Sequence, residues 1–131
     1  MSATGYQKYK KTSIQSASRE KLLLMLYEGA IRFCKIAIKA FEEKNISARN
    51  ENIGRVYDIV SELNNTLDHS KGPEVAANLE NLYMFMTNQL TKATIEHDVE
   101  CVKTVLKLLE TLYDGWSKAI EQLKREGKIA E

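Results

Sequence analysis

Apolar residues return along this chain at steps of three and four, the spacing of one face of an α-helix. The first such stripe is Leu23, Leu26, Ala30, Phe33, Ala37 and Phe41, which predicts a helix from Ser18 to about Lys44. Ser18 fits the N-cap, and Glu20 places a negative charge in the first turn. Asn45 is expected to close that helix. A second follows from about Ser47 to Asp68, with Ile53, Val56, Tyr57, Val60, Leu63 and Leu67 turned inward. The run from Asp68 to Pro73 is the clearest break: Gly72 permits a turn, and Pro73 suits the first position of a helix, where its missing N–H is not needed. The third stripe is Val75, Leu79, Leu82, Met86, Leu90 and Ala93. Asp98 fits the N-cap of a fourth helix carrying Val99, Val102, Leu106, Leu109, Tyr113, Trp116, Ile120 and Leu123, which ends near Gly127.

Four helices of roughly 20–27 residues with short links must run antiparallel to their neighbours. The expected fold is therefore all-α, an antiparallel up-down-up-down four-helix bundle. Residues 1–17 are polar apart from Tyr6, Tyr9 and Ile14, too little apolar surface to fold alone, and are expected to form a mobile N-terminal arm. The bundle is expected over residues 18–126, with 127–131 as a tail.

Two helices carry more apolar surface than one stripe. The first adds Leu24, Tyr27, Ile31 and Ile38, and the fourth adds Cys101, Val105, Leu108 and Leu112. Two readings are open: a thick core, or an exposed patch of the kind that marks a partner site. Gly29 and Gly115 fall at about the same level of adjacent antiparallel helices, at about 1.5 Å per residue. A helix-interior glycine costs up to about 1 kcal/mol relative to alanine. Either the two helix backbones approach closely there, which is the preferred reading, or a partner's chain does.

Composition narrows the chemistry. The chain has 131 residues, 44% hydrophobic and 28% charged, with a net charge of +1. Basic and acidic residues alternate, which argues against a nucleic-acid binder. No apolar run is long enough to cross a bilayer, and the first residues lack a secretory signal pattern, so the cytoplasm is the expected location. No phosphate-binding glycine loop is present. A di-metal carboxylate site would use Glu-x-x-His on two helices, but Thr66 and Thr94 stand three residues before His69 and His97. No cofactor, metal or small-molecule substrate is expected, and no catalysis. Both histidines are expected in solvated connections. Cys34 and Cys101 read as buried free thiols. An antiparallel register separates them by about 9 Å along the axis, which exceeds disulfide reach.

Several tracts together resemble the flagellin-specific export chaperones of the bacterial flagellum. They are Tyr6 to Tyr9, Ser13-Ile14, Ser18 through Gly29, Asn50 to Ile53, Asp58 to Leu63, Lys71 through Leu79 with Leu82-Tyr83, and Leu108 to Trp116 with Ala119. The likeness covers essentially the whole domain. It departs at Arg19, where family members often have Pro, and at Thr94, where they often have Asn; both lie at helix boundaries. The resemblance implies a four-helix bundle that holds the disordered C-terminal region of flagellin in hydrophobic grooves. It would thereby prevent premature polymerisation and keep flagellin competent for type III export, with export-gate components as further partners. The arm would lie over part of the groove when no client is bound. Tyr6, Tyr9, Leu24, Tyr27, Ile31, Val105, Leu108 and Leu112 are the candidate partner-binding residues. A helical adaptor or anti-regulator would use the same apolar surface, and a structural oligomer would bury it between copies.

Overall fold

The structure, a computed structural model, describes residues 18–130. Its elements are α1 (Arg19–Glu42), α2 (Ile46–Asn65), α3 (Pro73–Glu96) and α4 (Val99–Arg125). Each helix packs on its neighbours in sequence, and α4 closes the ring against α1. Side-chain pairs give the directions. Arg49 at the start of α2 reaches His97 at the end of α3, and Trp116 in the second half of α4 reaches Tyr27 in the first half of α1. Tyr27 and Tyr83, each just before the middle of its helix, meet across the centre. The arrangement is the expected up-down-up-down bundle.

The helix ends are set by specific caps. The side chains of Ser18, Asn45 and Asp98 each accept a hydrogen bond from a first-turn N–H, satisfying donors that have no partner within the helix. Asn45 was expected to close α1; instead it opens α2, because its carboxamide accepts from the Ala48 N–H at 3.1 Å. Three helices end on a left-handed residue, Lys44, His97 and Gly127. In each case the following N–H reaches back five residues, as from Asn45 to the Ala40 carbonyl at 2.9 Å. His97 is exposed, as expected, but it forms this corner rather than floating in a loop.

The inward faces correct the expected stripes. In α1 the buried residues are Tyr27, Ala30, Cys34, Ala37 and Ala40, a seam lying between the two stripes read from sequence. Small side chains fill its middle, and larger ones (Leu26 and Phe33 on one flank, Ile31 and Ile38 on the other) are only partly buried. In α4 the seam is Cys101, Val102, Val105 and Leu109. Tyr27 and Val105, expected on accessible secondary stripes, are therefore fully buried core residues. A wide apolar face has its centre, not its edge, toward the bundle axis. Val75 and Tyr57, expected inward, are exposed; Ala76 and Tyr83 take the inward positions of α3.

The centre also holds a polar chain. The Trp116 indole N–H donates to the Tyr27 hydroxyl at 3.2 Å, and the Tyr27 and Tyr83 hydroxyls lie 2.5 Å apart. This ties α1, α3 and α4 together where a single unpaired hydroxyl would cost about 1–3 kcal/mol.

Candidate functional site

The seams of the bundle differ in what they leave open. Between α1 and α2 the Phe33 ring is covered by the guanidinium groups of Arg32 and Arg55, at 5.1 and 5.2 Å from its centroid. Such cation–π contacts close that flank. The α1/α4 seam opens into a groove lined by Glu28, Ile31, Arg32, Lys35, Glu110 and Tyr113. Ile31 is its apolar floor, four charged side chains form its rim, and the Tyr113 hydroxyl donates to the Glu28 carboxylate at 2.5 Å. That carboxylate pushes the Tyr113 hydroxyl up from its ordinary pKa. Leu24, Leu108 and Leu112 are half-buried, Leu108 and Leu112 against the core. Of the eight candidate residues, Ile31 thus lines a groove, Tyr27 and Val105 are interior, and Tyr6 and Tyr9 lie outside the described residues.

A second groove, of roughly 310 Å³, runs between α2 and α3 and was not foreseen. Gly54, Tyr57, Thr91 and Ile95 line it, over a floor of Ile53 and Leu90. Tyr57 is 42% and Ile95 72% exposed. Gly54 was a legible signal here, being a glycine in mid-helix; Ile95 was another, standing off the stripe of Leu90 and Ala93. A third hollow, of roughly 240 Å³, lies at the end of the bundle, over Leu23, Leu63, Leu67, Leu79, Tyr83 and Trp116. The start of α1 is beside it: Asp68, which also lines it, has its pKa lowered mainly by hydrogen bonds from Ser70 and further by the charges of Lys71 and Arg19.

The glycines resolve differently from expectation. A Cβ on Gly29 would meet Ile59 of α2 at an ordinary 3.5 Å, and one on Gly115 would meet nothing within 4 Å. Close approach of the α1 and α4 backbones therefore does not account for them. Among the described residues no group of three His, Cys, Asp or Glu could hold a metal ion. No described helix is long and apolar enough to cross a membrane. Both cysteines are buried and free. Burial pushes the Cys34 thiol up to about 12, with Glu110 adding to the effect.

The surface, then, is one of apolar grooves on a bundle, suited to holding another polypeptide. A family model described as flagellar protein FliS matches residues 2–123. The chain belongs to the FliS family. Among its relatives, the flagellar secretion chaperone FliS of Bacillus subtilis is 30% identical over 121 residues, covering 92% of this chain and 90% of its own. The flagellar secretion chaperone FliS of Campylobacter jejuni is 35% identical over 111 residues, covering 85% of this chain and 87% of its own. That of Vibrio cholerae is 33% identical over 116 residues, covering 86% and 85%. A solved structure described as a flagellar chaperone from bacteria superposes with a TM-score of 0.75 at 19% identity, over 93% of this chain and 99% of that one. That likeness is one of fold, and it agrees with the four-helix architecture found here.

Proposed function

We propose that this FliS-family protein acts in the cytoplasm as an export chaperone that holds the C-terminal region of flagellin, keeping it from polymerising before type III export. The family match across residues 2–123 carries the chaperone role. The choice of client rests on the motifs from Ser18 through Gly29 and from Leu108 to Trp116, together with grooves that suit an amphipathic segment. Export-gate components would be further partners, receiving the loaded complex.

The α1/α4 groove at Ile31, with the half-buried Leu24, Leu108 and Leu112, is one contact region for the client. Tyr27 and Val105 are left out, because a partner could reach them only by opening the core. The arm, residues 1–17, joins α1 beside the end hollow, so Tyr6 and Tyr9 have apolar surface within reach of a short tether and would cover part of the client site in the free protein. Co-purification with flagellin tests the reading. A one-to-one complex is expected with the intact protein, and none with flagellin lacking its C-terminal region; undiminished binding to the truncated form would refute it. Ile31→Asp should weaken the complex while the bundle still melts cooperatively.

A further inference from the structure

The outer face of α1 is charged with one sign. From Gly29 to Phe41 its only charged residues are Arg32, Lys35 and Lys39, and among the described residues none of these cations has a carboxylate within salt-bridge distance. Glu28, one turn before Arg32, is engaged by the Tyr113 hydroxyl. The negative helix end favours Lys39 in the last turn, but it gives no reason for Arg32 and Lys35 in the middle. Met25, Gly29, Arg32 and Ile36 follow at steps of four, three and four, so they share one line of the helix. Met25 is 36% and Ile36 41% exposed. Over about 16 Å, three turns, that line has apolar ends and a cation between them.

The neighbouring helix completes the surface. A Cβ on Gly29 would lie 3.5 Å from the Ile59 side chain of α2, so the bare backbone of Gly29 leaves the partly buried Ile59 beside the line. Next to it the Phe33 ring lies under two guanidinium groups, those of Arg32 and Arg55. Shielding one ring needs only one cation. Two on the same ring repel each other, and Arg55 brings positive charge to the far side of the apolar line. Glu51 offsets Arg55 at 2.8 Å, but this pair is exposed, and such pairs contribute little. With α1 and α2 antiparallel and Gly29 level with Ile59, Glu62 falls near Met25, so the cationic stretch runs from Arg32 to Lys39. The stacked guanidiniums also leave no slot here for an inserted side chain, and the surface suits a helix lying along it.

We propose that the outer face of α1 and α2 is a docking surface for a partner protein other than the client, one that presents an acidic amphipathic helix. The apolar side chains of that helix pack along Met25, Gly29, Ile36 and Ile59. Its carboxylates meet Arg32 and Arg55, whose planar groups are already oriented by the Phe33 ring, and Lys35 and Lys39 extend the match along α1. Charge decides the class of partner, because a basic or neutral helix would leave four cations unmatched.

The test titrates the full chain with a labelled synthetic helix of about five turns, bearing leucines at steps of four, three and four with glutamates on both sides of that line, and follows melting in parallel. The wild-type chain should bind it, and should bind the same helix with glutamine for glutamate at least about ten-fold more weakly. Ile36→Ser should weaken binding about ten-fold at any salt concentration, without lowering the melting temperature appreciably. Arg32→Gln combined with Arg55→Gln should weaken it as much at low salt and far less at high salt, where screening has already removed the charge term. Ile95→Ser, on the other side of the bundle, should bind as the wild type does. No binding by the wild-type chain, or undiminished binding by both Ile36→Ser and the double arginine variant, overturns the surface. A loss in Ile95→Ser equal to that in Ile36→Ser does the same, because it puts the helix elsewhere. Equal binding of the glutamine helix overturns the acidic character of the partner. A polypeptide of flagellin's C-terminal region should not displace the acidic helix; displacement would give this face to the client and overturn the separate partner.

Discussion

Cys34 shows at the scale of one residue what burial in this bundle does. Its thiol sits in the small-residue seam of α1, where desolvation, and secondarily the charge of Glu110, moves its pKa from an ordinary 9.0 to about 12. In the unfolded chain the same thiol loses its proton above about pH 9, while the folded protein keeps it. The unfolded state then binds fewer protons, so stability falls as pH rises from about 9 to 12, by at most about 1.4 kcal/mol per pH unit for this group. Tyr27 and Tyr83, whose hydroxyls burial also pushes up, act in the same direction above about pH 10. Urea titrations across this range should show the midpoint moving steadily downward, and alkylation at pH 8 should leave both cysteines untouched until the protein unfolds. Rapid labelling of Cys34 in the native state would contradict the burial. That both cysteines are free was legible from their spacing. Tyr27 as core was not, since helical period fixes the angle between two stripes but not which line faces the axis.

At the scale of the helices, existence and order were legible because every stripe keeps helical spacing and every break carries a capping residue. The ends were less so. Asn45 belongs to the helix after it, a distinction made by backbone angles rather than by residue type. The corner it follows is made by Lys44 at φ 57°, where a side chain is disfavoured by roughly 1–2 kcal/mol. Part of that returns when glycine is substituted, less the entropy glycine loses on folding. Lys44→Gly should therefore raise stability by roughly 0.5–1 kcal/mol, read as a higher melting temperature; a fall would mean that the Lys44 side chain has a role its exposure does not show. Tyr57 marks the other limit of pattern reading. It is next to Val56 and one turn before Val60 and Ser61, and one residue's rotation, about 100°, separates the core from the groove.

For the molecule as a whole, short connections between long helices left a single arrangement, and the bundle has it. The binding surface was harder to read because the same residue types fill the core and line the grooves. Leu108 and Val105 are interchangeable in composition and differ only in depth. Binding that rests on apolar burial should depend weakly on ionic strength, since salt screens mainly exposed charges. Raising salt from low to high should change the affinity for the flagellin tail by less than about ten-fold. A steep loss would show that the charged rim at Glu28, Arg32, Lys35 and Glu110 holds the client in place of Ile31. Deleting residues 1–17 should leave the bundle folded and keep or raise affinity, because a segment that covers the site part of the time lowers apparent affinity by that fraction.

Trp116 is the single tryptophan of the chain, and its place gives the protein an optical reporter of its own. The indole is half-buried in the wall of the end hollow, with its N–H on Tyr27 and Tyr83 one hydroxyl further on. Two tyrosines so near are efficient donors of excitation to the indole. Light absorbed by the pair should emerge at tryptophan wavelengths while the bundle is closed and at tyrosine wavelengths once α1, α3 and α4 separate. Anything that settles over the hollow, whether the arm or a client, would dry the exposed edge of the ring and move its emission to the blue, so occupancy could be followed without a label.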